Sequence, residues 1–401
     1  MTLSNEPSKK GGREIPFDFS ATRKMPTWRQ DLCWPVTPIE VVKSVKQGFA
    51  DYLDLIADQP EPDIRRLLLV AGPEIIKQLL LMLDYARSVQ NSDAAGIELI
   101  SDHSEFNYFN YGGTPKSREA AEIIPAHPVV PRHPLVRKLI NIASWTPLWK
   151  APASFLFPTV TAFSANSHLL HQHVSHSGVR LTFRDPGHYL IEARALSQAT
   201  STVKAEEFGE LADLITTRFA ASGALGGIYL DRFLDATRID VETILKAVQK
   251  DLLHLRKIKL PKVAWTGSSI YQSRVVGHEI IRKGGEVVKF DHGGSTGMNG
   301  WPERDAFVEL NGATRLVMAT NAAADFTKRL EPEKLIASVH HCEIVGGAGY
   351  PHLKHISRSH KADRKRKERR VMYCPTFFRA HSSNPGETMG EPIHMDFTLR
   401  V

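Results

Sequence analysis

The pattern of apolar and polar positions predicts a chain that mixes helices with strands. From Pro38 to Asp58 the apolar residues recur at three- and four-residue spacing, which is typical of an amphipathic helix. β-branched and aromatic residues become frequent between Phe155 and Ala195, and helical periodicity returns at 205–222 and 240–255. The alternation of the two patterns indicates an α/β fold.

The clearest unit consists of two apolar runs of strand length, Val263–Thr266 and Glu286–Phe290. A helical pattern from Tyr271 to Lys283 separates the two runs, and Gly284 and Gly285 should end that helix. A strand, a helix and a second strand form a βαβ unit, so the two strands should be parallel.

Further elements are predicted on either side of this unit. Phe307–Leu310 and Arg315–Ala319 have the composition of short strands, and a helix should follow from about residue 322 to residue 330. Gly96–Ser101 is another strand candidate. Residues 111–134 contain seven Gly or Pro residues, which predicts a long loop.

The composition fits a folded soluble protein, because 42% of the 401 residues are hydrophobic and 24% are charged. The apolar runs are far shorter than the roughly 20 residues that span a bilayer, so an integral membrane protein is not expected. Residues 1–36 lack the apolar stretch of a secretory signal and predict a disordered leader. Cys33, Cys342 and Cys374 are too widely spaced for a disulfide framework or a metal pair, which indicates a reducing cytoplasm.

Four histidines, His168, His171, His173 and His176, suggest a metal site. No single helix or strand conformation gathers all four on one face, and no acidic residue lies between them. We interpret the cluster as incidental and predict neither a metal nor another cofactor.

The positive charge is concentrated near the end of the chain. Nine Lys or Arg and two acidic residues lie at 351–370, a net charge of +7 that equals that of the whole chain. We interpret 354–370 as a solvated basic linker between a domain at 37–353 and a second domain that begins at 371. The alternatives are a contact with an anionic membrane surface and binding of nucleic acid. Nucleic acid is not expected, because aromatic residues for base stacking are lacking.

Gly267, Ser268 and Ser269 lie where a strand turns into the start of a helix. Such a turn collects free backbone N–H groups and the positive end of the helix dipole, which favours a phosphate. The alternative is that the serines only cap the helix.

A second loop begins at Asp291 and continues through His292, Gly293 and Gly294. It follows the next parallel strand, and ligands of open α/β sheets bind at this carboxyl edge. The glycines let backbone N–H groups approach an anion, and His292 could act as a general base. The alternative is a flexible turn with an incidental histidine. Because both loops lie at one edge, we predict that they hold a phosphorylated ligand.

The segments LPKVAWTGSS, GGEVVKFDHGG and RRVMYCPTFFR resemble bacterial surface-polysaccharide transferases of the GT-B architecture, which has two Rossmann-like domains. They are also similar, more distantly, to the CDP-glycerol glycerophosphotransferases of teichoic-acid synthesis. The resemblance covers roughly residues 260–380. It implies that His292 faces an interdomain cleft and assists deprotonation of an acceptor or binding of a phosphate, with Thr376 and Arg379 on the opposite side. It also implies that the second domain, 371–401, is incomplete.

Three functions follow as hypotheses. The first is a transferase of envelope or capsule glycan synthesis that moves a sugar or polyol phosphate from a nucleotide-activated donor to a glycan acceptor hydroxyl. Its location would be the cytoplasm, with peripheral contact between 354–370 and the inner membrane. The second is a non-catalytic module that binds a glycan precursor or a partner. The third is a binder of nucleic acid or a membrane surface through 354–370.

Overall fold

The computed structural model describes residues 13–17, 38–101, 103–115, 118–124, 156–164, 167–198, 208–291, 300–347, 349 and 355. The strands are β1 (Arg13–Pro16), β2 (Ile97–Ile100), β3 (Thr159–Ala162), β4 (Arg180–Phe183), β5 (Val263–Thr266), β6 (Glu286–Phe290), β7 (Arg315–Met318) and β8 (Glu343–Gly346). The helices before β5 are α1 (Pro38–Asp58), α2 (Pro62–Ala94), α3 (Ser104–Tyr111), α4 (Ala120–Ile123), α5 (His168–His176), α6 (Pro186–Gln198), α7 (Gly209–Ser222) and α8 (Gly227–Leu255). Those after β5 are α9 (Tyr271–Arg282), α10 (Pro302–Arg304), a π-helix (Asp305–Leu310), α11 (Asn321–Leu330) and α12 (Pro332–Leu335).

Six parallel strands form the main sheet, in the order β4-β3-β5-β6-β7-β8. The predicted βαβ unit is confirmed, because β5 and β6 pair in parallel with Trp265 opposite Val288 and Thr266 opposite Lys289. The prediction of an α/β fold is likewise confirmed. The strand at 315–318 and the helix at 321–330 also form where the sequence places them.

The two faces of the sheet are covered by different helices. The chain moves from β3 to β4 in one direction and then returns to add β5, β6, β7 and β8 in the other. Because parallel crossovers are right-handed, this reversal places α5 on the opposite face from α9. Leu170 of α5 accordingly packs with Trp265 and Phe290, whereas Val276 of α9 belongs to the core on the other face.

The larger core lies between the sheet and a layer of long helices. The sequence suggests an interruption of α2 at Gly72 and Pro73, but the helix continues through both residues. Gly72 is required for packing, since a Cβ there would lie 2.5 Å from the ring of Phe307. Phe307 in turn meets Phe49 of α1 with ring centroids 5.3 Å apart. Within the described part of the chain, no helix has both the length and the apolar character needed to cross a bilayer.

A second, two-stranded parallel sheet joins β1 to β2. β1 lies inside the segment expected to be a disordered leader, yet Ile15 and Phe17 are buried. Phe17 stacks on Phe106 of α3 with ring centroids 4.0 Å apart. For residues 13–17, burial of these two apolar side chains provides the physical reason for regular structure.

Two local expectations from the sequence are wrong. Phe307–Leu310, predicted as a strand, belongs to the π-helix, all six residues of which are buried. A short apolar run carries no period that distinguishes a strand from a buried helix, and here contacts with α1 and α2 decide the outcome. Residues 188–193, in the segment rich in β-branched and aromatic residues, lie in α6. The long loop expected at 111–134 contains the short helix α4, and 125–134 lie outside the described residues.

Helix α9 approaches the turn at Gly312 closely enough to require glycine at position 277. A Cβ at Gly277 would lie 2.5 Å from the carbonyl oxygen of Gly312. We expect Gly277→Ala to lower the free energy of unfolding by about 1–3 kcal/mol, the usual effect of overpacking, as measured by urea denaturation. Gly178→Ala is the control, because a Cβ there meets no atom within 4 Å. Equal stability of the two variants would contradict the close contact.

Candidate functional site at the carboxyl edge of the sheet

The strand order reverses between β3 and β5, and the candidate site lies at this reversal, on the carboxyl edge of the sheet. Phe163 and Ser164 follow β3, Gly267–Ser269 follow β5, and Asp291 follows β6. Loops that leave neighbouring strands at such a reversal diverge to opposite faces, and ligands of open α/β sheets bind in the crevice between them. We call Gly267–Ser269 the switch-point loop.

Hydroxyl groups hold the backbone of the switch-point loop. The amide of Gly267 donates to Ser164 Oγ at 3.0 Å, and the amide of Ser268 donates to Thr266 Oγ1 at 3.1 Å. Ser268 Oγ accepts from the amide of Ile270 at 3.4 Å. Ile270 is the N-cap residue of α9 and makes no side-chain capping bond. The serines therefore shape the loop rather than cap the helix from the N-cap position.

Asp291 connects the site to the helix on the opposite face. Its amide donates to the carbonyl of Val317 at 2.9 Å, which extends β6 by one residue beside β7. Its carbonyl accepts from Ser167 Oγ at 3.0 Å, and the same Oγ caps α5 by accepting from the amide of Leu170 at 3.3 Å. The carboxyl end of β6 and the start of α5 are thus held together at the carboxyl edge of the sheet.

Beneath the switch-point loop lies a group of charged residues, which we call the ion cluster: the partly buried Glu74 and the buried Arg274, Lys289, Asp305 and Glu309. The Lys289 ammonium lies 3.0 Å from the Glu309 carboxylate and also donates to Ser269 Oγ and to the carbonyl of Val308. Arg274 pairs with Glu74 and donates to the carbonyl of Ser269. Two cations therefore hold Ser269 from below.

Burial changes the proton affinity of these groups. Desolvation lowers the pKa of Lys289, although Glu309 opposes that shift. Desolvation raises the pKa of Asp305 to about 7, and the nearby Glu309 carboxylate adds to the increase. Arg304 lies 3.6 Å from Asp305, but neither carboxylate oxygen accepts a hydrogen bond from the described residues. Asp305 therefore exchanges a proton near neutral pH.

The four clustered histidines lie on α5. His173 packs against Trp265 and Phe290, with ring centroids 5.2 and 5.3 Å apart. Among the described residues, no group of three or more His, Cys, Asp or Glu side chains has the geometry of a metal site.

The residues predicted from the sequence fall into two sets. Gly267, Ser268, Ser269 and Asp291 lie together at the carboxyl edge. The other predicted site residues lie outside the described residues: His292, Gly293, Gly294, Thr376 and Arg379.

Sequence reasoning missed the charged residues under the loop. Lys289 gave a signal, because it interrupts an otherwise apolar run in β6 at a position that shares a face with buried Val287. A lysine at such a position requires a buried partner. The identity of that partner, Glu309, depends on the π-helix and had no sequence signal.

The chain matches no protein-family model, no curated protein and no solved structure. The function proposed below therefore rests on contacts within this chain and on the resemblance of its short motifs.

Proposed function

We propose that the switch-point loop binds the phosphate groups of a nucleotide-activated sugar or polyol phosphate. The reaction would be transfer of the sugar or polyol phosphate to the hydroxyl of a glycan acceptor, in the synthesis of a bacterial surface glycan. One observation carries the proposal: Lys289 and Arg274, both buried cations, donate to Ser269 in a loop at the strand-order reversal.

The two cations support anion binding by their charge and by their rigidity. Each is buried, so water screens its field less than it would at the surface. The amide of Gly267 is bound to Ser164 Oγ, a neutral acceptor. A phosphate oxygen is a stronger acceptor than a hydroxyl, so rotation of the Ser164 side chain would transfer that amide to the ligand at little cost.

The proposed reaction needs few chemical groups. The oxygen of an acceptor hydroxyl attacks the transferred group, and the nucleotide leaves with its phosphate charge. Backbone amides and the cations of the site offset that charge, and binding aligns the two reactants. The resemblance to GT-B transferases adds His292 as an aid to deprotonation, with Thr376 and Arg379 on a second Rossmann-like domain. The proposal also includes a peripheral contact between 354–370 and the inner membrane, and it does not include nucleic acid as a partner.

A non-catalytic binding module is the second candidate. It needs only the loop and the two cations that support it, which are the parts of the site that the structure describes. Such a module would bind the phosphorylated ligand without transferring it. Turnover by the purified chain, assayed with any donor that binds, distinguishes the two candidates.

Ligand binding can be tested by thermal unfolding of the purified chain with a panel of nucleoside diphosphates and nucleotide sugars. A ligand at about 100 times its Kd should add about 2.7 kcal/mol of stability and raise the Tm. Gly267→Asp should abolish that increase, because the new carboxylate repels the phosphate. His292→Ala tests the second loop in the same way.

Gly178→Asp is the matched control, since it adds the same charge at a position where a Cβ meets no atom within 4 Å. It should keep the full increase in Tm. If no member of the panel raises the Tm of the wild type, or if Gly267→Asp keeps the increase, the phosphate site is not at this loop.

A further inference from the structure

Lys289 lies between the switch-point loop and the buried carboxyl groups of the π-helix. Its ammonium donates to Ser269 Oγ on one side and lies 3.0 Å from Glu309 on the other. Glu309 and Asp305 lie on the same π-helix, four residues apart. Segments of π-helix often occur at functional sites, because they re-aim side chains that a regular helix would place elsewhere.

Asp305 is 1% exposed, and neither of its carboxylate oxygens accepts a hydrogen bond from the described residues. The charged groups that act on it are Glu309 of the same π-helix, Arg304 at the end of α10, Lys289 of β6, and Asp291, which follows β6. A buried carboxyl group without donors favours its neutral form, because the charged form loses its hydration. The protonation state of Asp305 therefore sets the net charge beside Lys289.

We propose that Lys289 is a positioning residue, which holds the switch-point loop for anions through Ser269, and that ionisation of Asp305 weakens this hold. The inference rests on the proposed function, because it assumes that the loop binds phosphate. It adds a regulation of that site by protons. Lys289 acts through Ser269 and does not itself contact the ligand.

The sign of the effect follows from the charges. When Asp305 is neutral, the ammonium of Lys289 is opposed mainly by Glu309, and its field reaches the loop. When Asp305 is ionised, a second carboxylate competes for the same ammonium and adds negative charge beneath the anion. Anion affinity should therefore be higher below neutral pH than above it. The pKa of Asp305, raised to about 7 by desolvation, places this change in the physiological range.

Isothermal titration of the full chain with inorganic pyrophosphate, at pH 6 and at pH 8, tests the inference. The quantity to compare is the Kd at pH 8 divided by the Kd at pH 6, because the titration of pyrophosphate itself affects this ratio equally in all variants. For an ion pair on the order of 10 Å apart, one added charge changes affinity by roughly tenfold. We expect the ratio for Asp305→Asn to be smaller than that for the wild type by about this factor.

Asp84→Asn is the matched control. Asp84 is also a carboxyl group whose pKa is raised to about 7 by desolvation. It lies ten residues along α2 from Glu74, or about 15 Å along the helix axis. The ratio of Kd values for Asp84→Asn should equal that of the wild type.

Ser269→Ala tests the hydrogen bond between Lys289 and the switch-point loop, and it leaves every buried charge in place. It deletes the hydroxyl that accepts from Lys289, so it should weaken pyrophosphate binding at pH 6 and reduce the ratio to that of Asp305→Asn. If the wild type binds pyrophosphate but its ratio equals that of Asp305→Asn, or Ser269→Ala keeps the wild-type ratio, this inference is overturned and the proposed function stands. If the wild type does not bind pyrophosphate or any nucleotide, the proposed function fails as well.

Discussion

Lys289→Ala should lower the free energy of unfolding by about 3–5 kcal/mol, the usual cost of removing one partner of a buried ion pair. The loss has three parts in this protein. Glu309, with its side chain 5% exposed, would lose the ammonium that lies 3.0 Å from its carboxylate. Ser269 Oγ and the carbonyl of Val308 would each lose a donor. Urea denaturation at pH 8 measures the difference, and the midpoint should fall at an unchanged m-value.

Two variants make this result specific. Lys328→Ala removes an exposed lysine from α11 and should change the stability by no more than about 0.5 kcal/mol. The double variant Lys289→Met with Glu309→Leu removes both charges and should recover most of the lost stability, because apolar residues of similar size can replace a buried pair. If the double variant is as unstable as Lys289→Ala, the loss comes from packing and not from the broken ion pair.

The βαβ unit could be predicted to the residue because local physics determines it. The strands predicted at 263–266 and 286–290 form with those bounds. A central strand of a parallel sheet is buried on both faces, so it appears in the sequence as a short continuous apolar run. Gly284 then has a φ of +75°, the left-handed conformation that ends a helix and that glycine adopts without strain.

The strand-order reversal could not be predicted in this way. It depends on pairing between β3 and β5, with Thr161 opposite Ala264, across about one hundred residues of chain. No local pattern specifies that neighbour. The positions of Gly267 and Asp291 after their strands could be predicted from the sequence. Their partners could not: Ser164 accepts from the amide of Gly267, and Ser167 donates to the carbonyl of Asp291.

The ion cluster could not be predicted from the sequence either, for a different reason. Its members come from α2, α9, β6 and the π-helix, and every member except Lys289 is typical of an exposed polar position. Lys289 alone stands out, in a strand whose neighbours are buried. The π-helix, which supplies Asp305 and Glu309, was predicted in part as a strand. A charged residue on a core-facing position of a strand is thus the most informative signal that this sequence offers for its site.

Asp305→Asn should change the pH dependence of stability more than any other single substitution on the carboxyl edge. The pKa of Asp305 is raised from 3.8 to about 7 in the folded protein, mainly by desolvation. A raised carboxyl pKa contributes stability that is fully present below the unfolded pKa and is lost as the pH rises through the folded pKa. The wild type therefore loses about 4 kcal/mol from this group between pH 4 and pH 8, at 1.36 kcal/mol per pKa unit. The asparagine variant does not.

Buried histidines act with the opposite sign over part of the same range. His278 and His340 have ring centroids 5.1 Å apart, and desolvation lowers the pKa of both. Because their folded pKa values lie below those of the unfolded chain, the protein loses stability as the pH falls below about 6.5. This acid loss opposes the gain from Asp305, so the wild-type profile alone does not isolate the contribution of Asp305.

The difference between Asp305→Asn and the wild type separates the two effects, since both histidines are present in both proteins. Urea denaturation across pH 4–8 should show the variant gaining about 4 kcal/mol relative to the wild type as the pH rises. His278 Nε2 donates to Asn311 Oδ1 at 2.7 Å, and both residues are present in both proteins. Parallel profiles would mean that Asp305 titrates alike in the folded and unfolded states, and the carboxyl group would then have to be hydrated or paired in the folded protein.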